Sequence, residues 1–392
     1  MRCISSQCGP TASRPPSETY VPVEPAIAPA ARGISLGQPL IDTDIHCTVP
    51  SAQVLFPYLS AHWREYITTS AFKGPVDTSY PDGAPTSALA GTRPPEGGPP
   101  GSSLALIQSQ VLDAWNVEIG ILNCSYSVDS ITAPDTAAAM ARAVNDWLIH
   151  DWLAGEPRLR ATMLIPTRVP EMAAAEIDRV GDHPGIVQVM LPVVAQSPYG
   201  QRSWWPVFEA IERHNLVASV QFGGASGFPM TSSGWPSHYI EEYVDMAHIF
   251  QSQLLSLVSE GVLDKFPTLR LAMIESGWSW LPGFFWRFDK VWKGLRRETP
   301  WVRQLPSEYI KERMRFSLQP MDLPRDPVIV QQIFEQINSD SLLMFSTDYP
   351  HWHFDTPEES LPVGLTEAQR AGILYDNAAS FYGFAATPVE RV

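Results

Sequence analysis

The chain has 392 residues, with 42 acidic side chains against 27 basic ones and a formal net charge of −15, so its long-range field repels phosphate and excludes nucleic acid and anionic membranes as natural partners. No apolar run reaches the roughly 18 residues that a bilayer-spanning helix needs, and the N-terminal segment lacks the continuous apolar stretch of a secretory signal. The four cysteines, Cys3, Cys8, Cys47 and Cys124, follow no zinc-finger spacing and are too sparse for a disulfide scaffold, which fits a reducing cytoplasm.

Residues 1–36 are rich in Pro, Ala and Ser and read as a loosely attached tail. From residue 37 to 385, apolar runs of strand length alternate with helical segments, the pattern of a parallel sheet. The predicted strands are Leu40–Asp44, Glu118–Cys124, Leu159–Pro166, Gly185–Pro192, Leu216–Phe222, Leu269–Glu275, Met314–Gln319 and Leu342–Asp348. Eight strands close a (β/α)8 TIM barrel, an α/β fold. Asp135–Leu153 and Tyr239–Val262 carry apolar residues at helical spacing and read as members of the outer ring. Residues 68–103 break the alternation. They are dense in Gly and Pro and read as a long loop inserted after strand one, placed to act as a lid over the barrel mouth. Residues 386–392 form a short C-terminal tail.

Chemistry-bearing side chains gather where the predicted strands end, which in a TIM barrel is the face that carries the active site. Strand one ends Ile41-Asp-Thr-Asp-Ile-His46. Alternate strand residues point the same way, so Asp44 and His46 face the barrel interior together and can grip one cation. Strand eight brings Asp348, and beyond Pro350 comes His351, a second candidate for proton transfer because its ordinary pKa lies near neutrality. Arg168, after strand three, presents a planar fork suited to a substrate carboxylate, or else pairs with a surface acid. Thirteen tryptophans are many for this length, and Trp278 and Trp352 fall near strand ends, where their rings can line a pocket for a planar ligand or simply pack the barrel.

Three longer stretches add a family likeness: Gly261-Val-Leu-Asp-Lys-Phe-Pro-Thr-Leu-Arg-Leu-Ala-Met-Ile-Glu-Ser-Gly-Trp-Ser-Trp-Leu-Pro282, Pro306-Ser-Glu-Tyr-Ile310 and Phe345-Ser-Thr-Asp-Tyr-Pro-His-Trp352. They resemble the amidohydrolase superfamily, in particular its amidohydrolase-related branch of hydrolases and decarboxylases of the aminocarboxymuconate-semialdehyde decarboxylase type, over about residues 38–385. The resemblance implies a divalent metal ion, Zn or Mn, held by His-x-His on strand one, a His on each of strands five and six, and an Asp on strand eight. This chain keeps His46 and Asp348, but carries Asp44 for the first His, Gln221 at the strand-five position and Glu275 at the strand-six position. Asp44 remains an adequate hard donor, whereas Gln221 offers only a neutral amide oxygen. Glu275 is open to three readings: a ligand, a general acid or base, or a structural carboxylate.

With a cation bound, Asp348 is placed to accept a proton from an attacking water, which makes hydrolysis of an amide, ester or lactone in a small cyclic or aromatic substrate the first expectation. The alternative is a non-oxidative decarboxylase of an aromatic or unsaturated acid, metal-dependent or metal-free, and a non-catalytic binding barrel is the third reading. A small-molecule partner is expected in all three, with a homodimer as the commonest assembly.

Overall fold

The computed structural model describes Leu36, residues 38–72, 74–75, 88–224, 231, 233–351 and 357–384. Eight parallel strands stand side by side in chain order: β1 (Leu40–Cys47), β2 (Val117–Cys124), β3 (Leu159–Met163), β4 (Ile186–Pro192), β5 (Val217–Gln221), β6 (Arg270–Ile274), β7 (Met314–Ser317) and β8 (Leu343–Met344). Each overlaps one of the eight predicted strands. The hydrogen bonds from Thr43 N–H to the Phe345 carbonyl, from Asp348 N–H to the Asp44 carbonyl and from His46 N–H to the Tyr349 carbonyl draw β8 and its extension back onto β1. The fold is therefore the α/β (β/α)8 barrel that the alternation implied.

Both faces of a parallel strand are covered, which is why these strands read as nearly unbroken apolar runs. The larger apolar cluster lies between the sheet and the helices. Its outer wall includes helices Pro134–Trp147, Pro170–Val180, Trp205–Arg213, Tyr239–Ser259 and Leu281–Leu295. The first of these passes at Leu148 into a wider π turn, Leu148–Leu153, so the predicted single helix over Asp135–Leu153 is two segments. A second cluster fills the barrel interior: Ile41, Ile119, Ile121, Val217, Ala272, Ile274 and Met344 pack against Ala378, Phe381 and Tyr382 of the final helix, Asn377–Tyr382, which plugs the lower end. Burying an aromatic of that size is worth about 2–3 kcal/mol.

One irregularity positions the site. Asp42 pairs with Gly120 but Ile45 pairs with Leu122, so β1 carries an extra residue across this step. Such a bulge inverts the side on which later residues point. Ile41 lies in the interior cluster and Ile45 in the outer one, although four residues of regular strand would put them on the same face. The bulge thus leaves Asp44 and His46 facing inward above the apolar layer.

The described part of the inserted loop sits on the mouth. Leu89 N–H donates to the Pro350 carbonyl at 2.7 Å, Ala88 bridges His351, and the Gly101 carbonyl accepts from Thr48 N–H at 3.0 Å. The 1–35 part of the expected N-terminal tail, the expected C-terminal tail, residues 76–87 of the insertion and Trp352 lie outside the described residues.

Candidate metal centre

Four donors meet at the mouth. His46 Nε2 stands 2.8 Å from Asp348 Oδ1, 3.1 Å from Glu275 Oε1 and 3.3 Å from Asp44 Oδ1. The side chains come from β1, from the residue just after β6 and from the extension of β8, and all are at least nine-tenths buried. His351 completes the group, with Nδ1 3.0 Å from Asp348 Oδ1 and its ring centroid 4.7 Å from that of His46. One ligand atom from each of His46, Glu275, Asp348 and His351 lies within 4.8 Å of the others.

The backbone is bent to bring them there. Glu275 and Asp348 have φ of +61° and +57°, the left-handed region that costs a non-glycine residue about 1–2 kcal/mol. Each turn is pinned. Glu275 N–H donates to Ser317 Oγ, whose hydroxyl donates in turn to the Gln319 carbonyl, and Asp348 N–H donates to the Asp44 carbonyl. Strain of this kind persists only where surrounding bonds over-determine the conformation.

His46 Nδ1 lies 3.1 Å from Ser125 Oγ. With that nitrogen donating, Nε2 turns a lone pair toward the carboxylates. Among the described residues, neither His46 Nε2 nor Asp44 Oδ2 has a hydrogen bond of proper geometry, and both atoms are buried. Burial opposes protonation of His46, but the Asp44 charge and the contacts with Asp348, Asp44 and Glu275 outweigh it and hold its pKa well above the usual value. Burial and the neighbouring Asp348 charge push Glu275 up, with His46 opposing. The excess negative charge calls for a proton or a cation.

A divalent cation fits. Two ligand atoms about 2.1 Å from one ion and at right angles to each other stand about 3 Å apart, which is the spacing of the three carboxylate oxygens from His46 Nε2. Three hard oxygens and one imidazole nitrogen form a chemically sound donor set for such an ion.

Beneath the donors runs a polar layer. Asn123 Nδ2 donates to Asp44 Oδ1 at 2.7 Å, and Asn123 Oδ1 accepts from Thr162, from Gln188 and from Gln221. Tyr382 from the plug donates to Gln188 Oε1. Asp42 bonds Thr347 through both the backbone N–H and the hydroxyl, tying β1 to β8, and burial, partly offset by those bonds, lifts its pKa to about 7. Of the aromatic residues after β5, Tyr243 feels the charges of the centre, and its ring lies 5.6 Å from that of Phe222 and 5.7 Å from that of Tyr239. Burial, reinforced by the charges of Glu275 and Asp348, pushes the Tyr243 phenol far up, so it stays a neutral group beside them.

Of the residues singled out from sequence, Asp44, His46, Glu275, Asp348 and His351 come together. Gln221 spends its amide nitrogen on Asn123 Oδ1 and Ser219 Oγ, both at 2.7 Å. Arg168 stands apart, lining a cleft of about 190 Å³ formed with Asp129, Ser197, Tyr199 and Trp204 from the loops after β2, β3 and β4, and its Nε donates to the Asp129 carbonyl. Trp278 requires correction as a ligand-contacting residue. It is fully buried with its ring 5.4 Å from Phe334 on the helix Pro327–Ile337, so it packs the barrel against its outer layer. Asp42, Asn123, Ser125 and Tyr243 were not anticipated. Asn123 and Ser125 sit at the carboxyl end of β2, and the strand-end criterion used elsewhere would have found them.

A family model described as amidohydrolase matches residues 41–384. Among curated proteins, the chain is 24% identical over 286 residues to gamma-resorcylate decarboxylase of Polaromonas sp. (strain JS666), covering 70% of this chain and 85% of that one. Among solved structures, an amidohydrolase from Mycobacterium avium subsp. paratuberculosis superposes with a TM-score of 0.67 at 17% identity, covering 89% of this chain and 100% of the other. A dihydroxybenzoic acid decarboxylase from Polaromonas, solved with bound manganese and the inhibitor 2-nitroresorcinol, superposes with a TM-score of 0.62 at 18% identity, covering 88% and 97%.

Proposed function

This chain belongs to the amidohydrolase family, and from that premise we propose that it is a divalent-metal-dependent, non-oxidative decarboxylase of a small aromatic carboxylic acid. The observation that carries the reading is the convergence of Asp44, Glu275 and Asp348 on His46 Nε2 at 2.8–3.3 Å. Hydrolysis, the first expectation from sequence, gives way because the curated relative and the manganese-bound structure are both named as decarboxylases.

Asp44, His46 and Asp348 would hold the metal, with manganese the ion bound in that relative. When bound, it supplies a positive charge that anchors an anionic substrate and draws off charge from it. The rest of the work falls to the chain's own groups. Ser125 fixes the His46 ring through Nδ1, and Asn123 fixes Asp44. Tyr243, close enough to Glu275 and Asp348 to feel their charges, would supply an aromatic ring and a neutral phenol to a planar substrate. Loss of carbon dioxide breaks the bond between the ring and its carboxyl carbon and leaves the electron pair on the ring, where a proton must replace the lost group. His351 is placed to move that proton. It bonds Asp348 Oδ1 through Nδ1, and its side chain is 29% exposed, so it exchanges with solvent while its partner is buried.

The test is turnover of 2,6-dihydroxybenzoate and other hydroxybenzoates by protein loaded with Mn²⁺, followed by product chromatography. In D₂O the product should carry one deuterium at the carbon that lost the carboxyl group. No turnover across the hydroxybenzoates, together with cleavage of lactones or amides, would return the protein to the hydrolases.

A further inference from the structure

We infer that the cation site of this chain is built from one nitrogen and three carboxylates, His46, Asp44, Glu275 and Asp348, with the carboxylate after β6 as a full ligand and the β5 side chain Gln221 given over to structure. The inference rests on the divalent-metal reading above and goes on to assign the ligands and their consequence for metal choice.

Three observations carry it. First, Glu275 Oε1 lies 3.1 Å from His46 Nε2, between the distances shown by Asp348 and Asp44, and Glu275 is one of the four residues, with His46, Asp348 and His351, whose ligand atoms lie within 4.8 Å of one another. Second, the chain holds Glu275 in a left-handed backbone conformation, with its N–H tied to Ser317 Oγ and Ser317 Oγ tied to the Gln319 carbonyl. That pinned turn fixes the backbone from which the carboxylate reaches His46. Third, Gln221 is anchored from below. Its amide nitrogen donates to Asn123 Oδ1 and Ser219 Oγ, and Asn123 in turn holds Asp44 and joins Thr162 and Gln188. Through Asn123, Gln221 acts as a positioning residue for Asp44.

The consequence is charge and hardness. Three carboxylates give the site three negative charges and mostly oxygen donors, which suit manganese and magnesium, while a second imidazole would favour zinc. Zinc ordinarily binds a given mixed site more tightly than manganese. The donor set here narrows that margin.

The experiment uses the full chain and the metals alone. Apoprotein is titrated with Mn²⁺, with free ion read from its paramagnetic resonance signal, and Zn²⁺ competition gives the ratio of the two affinities. Wild-type protein should bind one equivalent of Mn²⁺. Glu275→Gln and Glu275→Asn, the latter easily accommodated at positive φ, should each weaken Mn²⁺ at least tenfold. Gln221→Ala should stay within about threefold, since Gln221 bonds Asn123 and Ser219 rather than a ligand and so stands one hydrogen bond beyond the groups that hold the ligands directly; a larger loss would mean that its amide oxygen reaches the metal. Glu275→His should widen the zinc-to-manganese affinity ratio at least tenfold. Thermal melts of each apoprotein identify any variant that fails to fold. Unchanged Mn²⁺ affinity in both folded Glu275 variants, or a loss in Gln221→Ala as large as theirs, overturns the ligand assignment while leaving a metalloenzyme. Failure of wild-type protein to bind any divalent cation overturns the functional reading itself.

Discussion

At the lower end of the barrel, Glu156 has a dedicated cation: the Arg158 fork reaches both carboxylate oxygens, at 2.9 and 2.8 Å, and Gln108 adds a third bond. At the mouth, Asp44, Glu275 and Asp348 instead crowd around one imidazole. The pKa shifts diverge accordingly. Hydrogen bonding by Arg158 pushes Glu156 down to about 2, whereas burial pushes Glu275 up. Apolar packing differs in the same sense, since the lower interior is sealed by Phe381 and Tyr382 against Ile41, Ile119 and Met344, while the mouth holds two residues at positive φ. The same eight strands thus serve stability at one end and a centre short of positive charge at the other. A buried carboxylate that is merely structural comes with its own cation, whereas three carboxylates gathered on one imidazole carry more negative charge than that ring can balance.

The comparison breaks most visibly at His46. His46→Ala should weaken Mn²⁺ by more than about a hundredfold, because even groups outside the ligand shell are typically worth 10–100-fold, and turnover should disappear with the metal. The melting temperature of the apoprotein should fall as well, because the substitution leaves the buried carboxylates without the imidazole that partly offsets their charge. A fully metallated, active His46→Ala protein would remove the functional distinction between the two ends.

Phe381→Ala is the matching test below. It should cost about 3–5 kcal/mol of stability, the usual range for a deleted buried ring, measured by denaturant unfolding, and leave activity per folded molecule unaltered. His351→Gln should slow turnover by about a hundredfold or more, the range expected for loss of a proton-transfer group, while Mn²⁺ affinity changes only a few-fold because the glutamine amide keeps a donor for Asp348 Oδ1 in place of Nδ1. An equal loss in both quantities would make His351 a ligand rather than a proton carrier. The smallest effect is at Glu156. The folded protein gives up this proton more readily than the unfolded chain, so the ion pair's contribution is complete above pH 4.5 and is lost as pH falls toward 2. Glu156→Gln should therefore lower stability near neutrality by a modest amount and flatten its dependence on pH in that acid window. An unchanged acid profile would show that the pair contributes nothing to folding.

Much of this is legible in the amino-acid sequence. Parallel strands are covered on both faces, and their apolar runs stand out between amphipathic helices, so all eight were found within a few residues. Asp44, His46, Glu275 and Asp348 were legible because a barrel places its chemistry at strand ends. Trp278 was misread because a strand-end position does not say whether a ring points into the mouth or back into the helical layer. The β1 bulge was invisible, since one extra residue leaves no mark in the apolar pattern when both faces are buried.

The amino-acid sequence alone determined the element order, the barrel and the rim on which the polar residues collect, because periodicity and burial are local properties of the chain. Tertiary structure decided which of those polar groups share a centre. That Gln221 turns its amide to Asn123 while Glu275 reaches His46, and that Arg158 rather than a metal answers Glu156, depends on side-chain direction and on partners supplied by distant strands. Distances of about 3 Å between groups from separate strands exist only once the barrel has closed.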